Sequence, residues 1–136
     1  GYRYNSSINP VWLPGRYDNR HKPRTIFSEG GLWQIPASAT PALRVPLFWL
    51  SFHNLPLATY LRMCGKTIAT DGYLNLYFHP WEFTDLSLPH LGMPWYVRRN
   101  AGTAMLARFD QLLNWMKAHQ YTFTTISAFL SQRYGA

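Results

Sequence analysis

Acidic residues and cysteine are both scarce in this chain. Of 136 residues only six are Asp or Glu, against thirteen Lys or Arg, for a formal charge of +7. The single cysteine, Cys64, excludes an internal disulfide and a cysteine-based zinc site. A lone thiol mildly favours a reducing compartment. No apolar run approaches the ~18–20 residues needed to cross a bilayer, and no signal-peptide pattern is visible. The sequence has no Gly-x-Ser-x-Gly and no phosphate-binding glycine loop. It also lacks a His-x-x-x-His spacing and an Asp-Asp pair, so it carries no recognisable self-contained metal site. RNA- and DNA-binding motifs are absent as well, and nucleic acid is not the expected partner. The basic residues form two loose groups, Arg16 to Arg24 and Arg98-Arg99. They read as a solvated surface or as a face for a polyanionic glycan.

What is present is apolar and aromatic. Hydrophobic residues make up 47% and aromatics 17%, enough for a core in a chain of one ordinary domain's length. Ten prolines and nine glycines are scattered rather than clustered, which points to a folded, loop-rich protein. Residues 1–31 read as an irregular but ordered loop, punctuated by Pro10, Pro14, Gly15 and Pro23 and held by Tyr2, Tyr4, Trp12, Tyr17 and Phe27. Residues 31–36 suggest a short strand. Leu47 to Leu50 is an apolar run, and residues 56–63 suggest a helix with Pro56 in its first turn and Gly65 at its end.

The clearest strand is expected at residues 72–78, where only Asn75 is polar, as in a strand covered on both faces. Residues 79–100 read as loop. The best helix spans 103–119, with Met105, Phe109, Leu112, Leu113 and Met116 on one face. His119 would sit at its C-terminus as a dipole partner. A short strand over 121–125 and a helix over 126–133 follow. This alternation of strand and helix points to an α/β fold with parallel strands.

His79 is the leading candidate for a catalytic group. It stands where the apolar run stops, and Pro80 forbids further ladder bonding. Trp81 supplies a flat plate and Glu82 a nearby carboxylate. An imidazole there could take and return a proton near neutrality, or cap the strand end by a backbone hydrogen bond. Arg16 and Tyr17, after Pro14-Gly15, could hold a sugar hydroxyl or a phosphate-bearing carrier; Arg16 could instead snorkel over aromatics. Trp33 and Trp81 could stack on a pyranose or fill the core. Glu82 could orient His79 or pair with an arginine.

Tyr77-Phe78-His79-Pro80-Trp81-Glu82-Phe83 resembles the last motif of the NodB-type polysaccharide deacetylases, in the bacterial branch linked to exopolysaccharide synthesis. Further segments match that branch in order. They are Gly1-Tyr2-Arg3-Tyr4-Asn5-Ser6-Ser7, Pro14-Gly15-Arg16-Tyr17, Gly31-Leu32-Trp33-Gln34-Ile35-Pro36-Ala37-Ser38 and Pro46-Leu47-Phe48-Trp49, followed by Gly102, Leu112-Leu113 and Phe123-Thr124-Thr125-Ile126. The resemblance implies the C-terminal part of a distorted (β/α) barrel that removes N-acetyl groups from glycans with a divalent metal, zinc or similar. It makes His79 the general acid, with Arg16, Tyr17, Trp81 and Glu82 as substrate-binding candidates. Asn5 stands where the family more often shows Asp. The family's Asp-Asp, His-x-x-x-His and Arg-Pro motifs would lie upstream of Gly1. The chain alone is therefore expected to be inactive and to hold no metal. Self-association, or pairing with the missing half, is expected of an open half-barrel. The rival expectation is a non-catalytic carbohydrate-binding or interaction module.

Overall fold

A computed structural model describes residues 1–135, apart from the side chain of Pro89. The fold is mixed α/β: small sheets from the first third of the chain, then five helices. The N-terminal region, expected to be irregular, contains short strands β1 (Tyr4–Asn5), β2 (Trp12–Leu13), β3 (Tyr17–Asp18) and β4 (Phe27–Glu29). They are too short to show a periodic sequence signal, and turns supply their pairing. Gly30 and Gly31, at φ +61° and +78°, reverse the chain between β4 and β5 (Leu32–Gln34). β5 is the centre of a three-stranded sheet, antiparallel to β4 and parallel to β1. β2 and β3 form a separate antiparallel ribbon.

The β5 direction continues past Gln34. Ile35 N donates to Asn5 O at 2.8 Å and Ala37 N to Ile8 O at 2.8 Å. Ile35, Ala37 and Ala39 are buried.

The apolar run at Leu47 leads into helix α1 (Trp49–Asn54). Arg108, from a helix much later in the chain, caps its end: Nη2 donates to Phe52 O at 2.6 Å and Leu55 O at 2.8 Å. Helix α2 (Leu57–Asp71) does not stop at Gly65. It runs on to Gly72, which adopts φ +76° as the left-handed cap. Gly65 lies instead where α2 meets Trp115, with 3.6 Å between the position of a Cβ and the indole. Helix α3 (Trp95–Arg98) is a single turn inside the expected 79–100 loop. Helices α4 (Thr103–Ala118) and α5 (Ile126–Tyr134) stand where the sequence places them, and Met105, Leu112 and Met116 of the expected α4 face are buried. His119 Nδ1 meets Trp115 O at 2.8 Å, at the helix C-terminus.

The core gathers Leu47, Phe52, Tyr60, Cys64, Met105, Leu112 and Met116 between α1, α2 and α4. Complete burial of a side chain such as Leu47, Phe52 or Met105 contributes ~1.5–3 kcal/mol. Leu74, Leu76 and Phe78 pack against this cluster.

The strands expected at 72–78 and 121–125 are not formed as ladder strands, and no closed barrel exists among the described residues. Residues 73–78 run without helix or strand pairing, anchored chiefly at Asn75. Ser38 N donates to Asn75 O at 2.9 Å, and Asn75 N donates to Ser38 Oγ at 2.8 Å. The other main-chain amides of that run have no partner among the described residues. The apolar pattern predicts a strand covered on both faces, but residues 73–78 are only partly covered, and a strand also needs a neighbouring backbone. A cavity of about 730 Å³ occupies that side, lined by Leu74, Leu76, Phe78, Leu113, Phe123 and Phe129 among others.

Two outcomes test this description. Gly65→Ala should stabilise the protein by about 0.5–1 kcal/mol in urea denaturation, because Ala favours the helix interior and its Cβ meets Trp115 at an ordinary contact distance. A helix that ended at Gly65 would lose stability instead. In hydrogen exchange, the amides of Leu74, Leu76 and Tyr77 should exchange faster than that of Asn75. Uniform protection across the run would reveal a partner strand.

Candidate active site

His79 is placed by what precedes and follows it. Asn75 pins the approaching run: besides its main-chain bonds, Nδ2 lies 2.9 Å from Ser6 Oγ and 3.1 Å from Ile35 O. Pro80 then starts a 3-10 turn (Pro80–Phe83), its fixed φ suiting the first position. Glu82 N donates to His79 O at 3.0 Å, and Gly102 N donates to Glu82 O at 3.0 Å, tying the turn to the start of α4. Gly102 is required there: its φ is +64°, and a Cβ would stand 3.3 Å from Thr84 O.

Inside the turn the Glu82 carboxylate folds back on His79. Its Oε1 accepts from His79 N at 2.8 Å and meets Nδ1 at 2.6 Å. Glu82 has no exposed surface, and its Oε2 has no hydrogen-bond partner. Burial pushes the Glu82 carboxyl above its usual range, opposed by its bonds to His79. A carboxylate at Nδ1 selects the tautomer with the proton there and leaves Nε2 as the working nitrogen. Nε2 makes no hydrogen bond among the described residues, and the His79 side chain is 40% exposed. The imidazole is thus oriented from behind and open in front.

Aromatic rings frame it. Trp81 stacks on the imidazole at 5.2 Å and 18° between planes. Trp49, the first residue of α1, stands edge-on to both, at 5.7 Å from His79 and 5.1 Å from Trp81. Tyr77 meets His79 edge-on at 5.7 Å. Burial pushes the Tyr77 phenol up to about 12, with Tyr17 and Glu82 adding to the shift and Arg16 opposing it. Those three residues therefore share one neighbourhood with Tyr77.

The structure assembles most of the expected site. His79 contacts both Trp81 and Glu82, and Tyr17 shares a cavity lining with Tyr77. Glu82, expected among the substrate-binding residues, has no exposed surface and bonds to His79 instead. Arg16 is exposed at the β2–β3 turn. Trp33 is not part of the site; its ring packs on Tyr134 at 4.6 Å. Sequence reasoning did not single out Trp49 and Tyr77. Both belong to quoted apolar runs, and only the meeting of α1 with the end of the 73–78 run distinguishes them from core. His53, one turn after Trp49, is fully buried, and desolvation pushes its pKa down.

Among the described residues no group of three or more His, Cys, Asp or Glu side chains comes together to hold a metal ion. His79 and Glu82 are bonded to each other, and no third donor joins them. The residues at this site do not fit a metal by themselves. Comparison with known proteins is silent: no family model, no curated protein and no solved structure matches the chain.

The buried carboxyl generates a prediction. Burial disfavours its charged form, so the folded state binds the proton more tightly than the unfolded chain does. The associated stability is fully present below the ordinary glutamate value of 4.5 and is lost as pH rises through the folded-state value. Glu82→Gln is uncharged throughout. Its denaturation midpoint should fall less than that of the wild type between about pH 4 and about pH 7. Parallel curves would show that the carboxyl is not held in this state.

Proposed function

We propose that this chain supplies the proton-donating part of a glycan deacetylase site, acting on an N-acetylated sugar with His79 as general acid. The observation that carries the reading is the His79–Glu82 pair: an imidazole fixed through Nδ1 by a buried carboxylate, with Nε2 open beside an indole plate. An amine leaving from an acetamide needs a proton as the carbon–nitrogen bond breaks, and a positioned imidazole can deliver it. Glu82 stabilises the protonated ring and holds its direction. Trp81 and Trp49 offer flat apolar surface to a pyranose, and Tyr17 and Arg16 offer donors near Tyr77. The ordered motif resemblance supports the same assignment. The metal and the base of such a site would come from residues outside these 136.

The same reading treats the fold as part of a distorted (β/α) barrel. The unpaired runs at 73–78 and 121–125 and the apolar cavity they line support it. Extended backbone without ladder partners pairs readily, so the chain is proposed to associate with itself or with a complementing segment. No helix among the described residues is long and apolar enough to cross a membrane.

A second reading has its own support. The cluster of Trp49, Tyr77 and Trp81 around an open imidazole would also serve a carbohydrate-binding module without catalysis. Turnover separates the two. The 136-residue chain alone, with added zinc or cobalt, should release no acetate from an N-acetylated oligosaccharide; clear turnover would refute its dependence on outside residues. In the complete enzyme, His79→Ala should lower kcat by about 10²–10⁴-fold and leave the metal content unchanged. Loss of the metal would make His79 a ligand, and unchanged kcat would favour the binding module.

A further inference from the structure

A second cavity, of about 450 Å³, adjoins the His79 platform on the Tyr77 side, and Ser7, Asn9, Tyr17, Asn19 and Tyr77 help to line it. Its volume lies within the range of about 300–1,000 Å³ usual for small-molecule sites. Its wall is organised around Asn9, a buried residue at 6% exposure. Asn9 Nδ2 donates to Tyr17 Oη at 3.0 Å, and Asn19 Nδ2 donates to Asn9 O at 3.2 Å. The Tyr17 oxygen accepts the Asn9 proton, so its own proton remains available, and it has no acceptor among the described residues. The Tyr77 phenol is a donor as well, as a phenol is at neutral pH. Two phenol donors therefore meet at one cavity, with Asn9 bonded to that of Tyr17.

The lining contains no Lys, Arg, Asp or Glu. An ionic ligand would find no counter-charge in contact, whereas a neutral polyol would find hydroxyl, amide and phenol groups together with the apolar faces of Tyr77 and Ala37. Since the Tyr77 ring also touches His79, one ligand could occupy both places only if it were extended, with a repeating unit on each side of that ring.

We propose that this cavity is a subsite for a neutral sugar unit adjoining the one beside His79, its hydroxyls bonded by Tyr17 and Tyr77. The assignment rests on the glycan reading of the His79 site, but it concerns hydroxyl recognition and not the acetyl group. Two trisaccharides therefore test it on the full chain by NMR titration: triacetylchitotriose, and cellotriose, which has no acetamide. Both should bind, and Tyr17→Phe and Tyr77→Phe should each weaken both by about 2- to 10-fold, the equivalent of one hydrogen bond. Tyr77→Phe keeps the ring against His79, so it preserves the platform if Tyr17→Phe disturbs Asn9. Loss of catalysis by the complete enzyme without any effect of the two phenols on binding would overturn the subsite and leave the role of His79 standing. Phenol-dependent binding with no role for His79 in turnover would do the reverse. Failure of both sugars to bind the wild-type chain overturns the subsite.

Discussion

Asn75 is the polar group on which the placement of everything around His79 depends. The run from 73 to 78 has almost no ladder partners, so nothing regular fixes its register. Asn75 supplies that register with its whole amide: main chain to Ser38 in both directions, side chain to Ser6 and to the carbonyl groups of Ile35 and Pro36. Leu74, Leu76 and Phe78 can then face the core, and His79 arrives where the 3-10 turn can close. Apolar packing supplies most of the stabilisation and selects the face of the run turned to the core, while the directional bonds of Asn75 fix its position along the neighbouring chain. A slip of one residue would send Asn75 into the core side and Leu76 toward Ser38.

The site is a product of three independent pieces of chain. The 73–78 run brings Tyr77 and His79, the turn brings Trp81 and Glu82, and α1 brings Trp49. Arg108 fixes α1 from α4 by taking its last carbonyl groups, and its guanidinium lies 5.2 Å over the Phe52 ring. Gly102 ties the turn to the start of the same helix. α4 is therefore the common support of both walls, although none of its residues reaches the imidazole. The bidentate pair of Arg24 with Asp71 performs a similar task at the far end of α2, joining the N-terminal loops to the helical layer.

At the Glu82 carboxylate, burial and hydrogen bonding pull in opposite directions. A buried carboxylate with one oxygen unpaired costs stability. It is retained in a position where its other oxygen holds both the backbone and the ring of His79. That cost is intelligible if the direction of the imidazole matters more than the stability lost, which is the usual balance at catalytic positions.

Amphipathic periodicity alone made α4 legible, because a helix satisfies its own backbone and needs only one apolar face to be recognised. The chemistry at residues 79–82 was legible for a related reason: Pro80 and Glu82 act on His79 within one turn, so the sequence contains the whole interaction. Residues 72–78 show where that reasoning ends. Their apolar pattern marks chain covered by a core, but a strand is a relation between two backbones, and the second one is missing from most of the run. The extension of α2 through Gly65 was decided by Trp115, fifty positions away, and the aromatic frame of His79 by the approach of α1. These are contacts between distant segments, set by how the helices pack, and no local pattern encodes them.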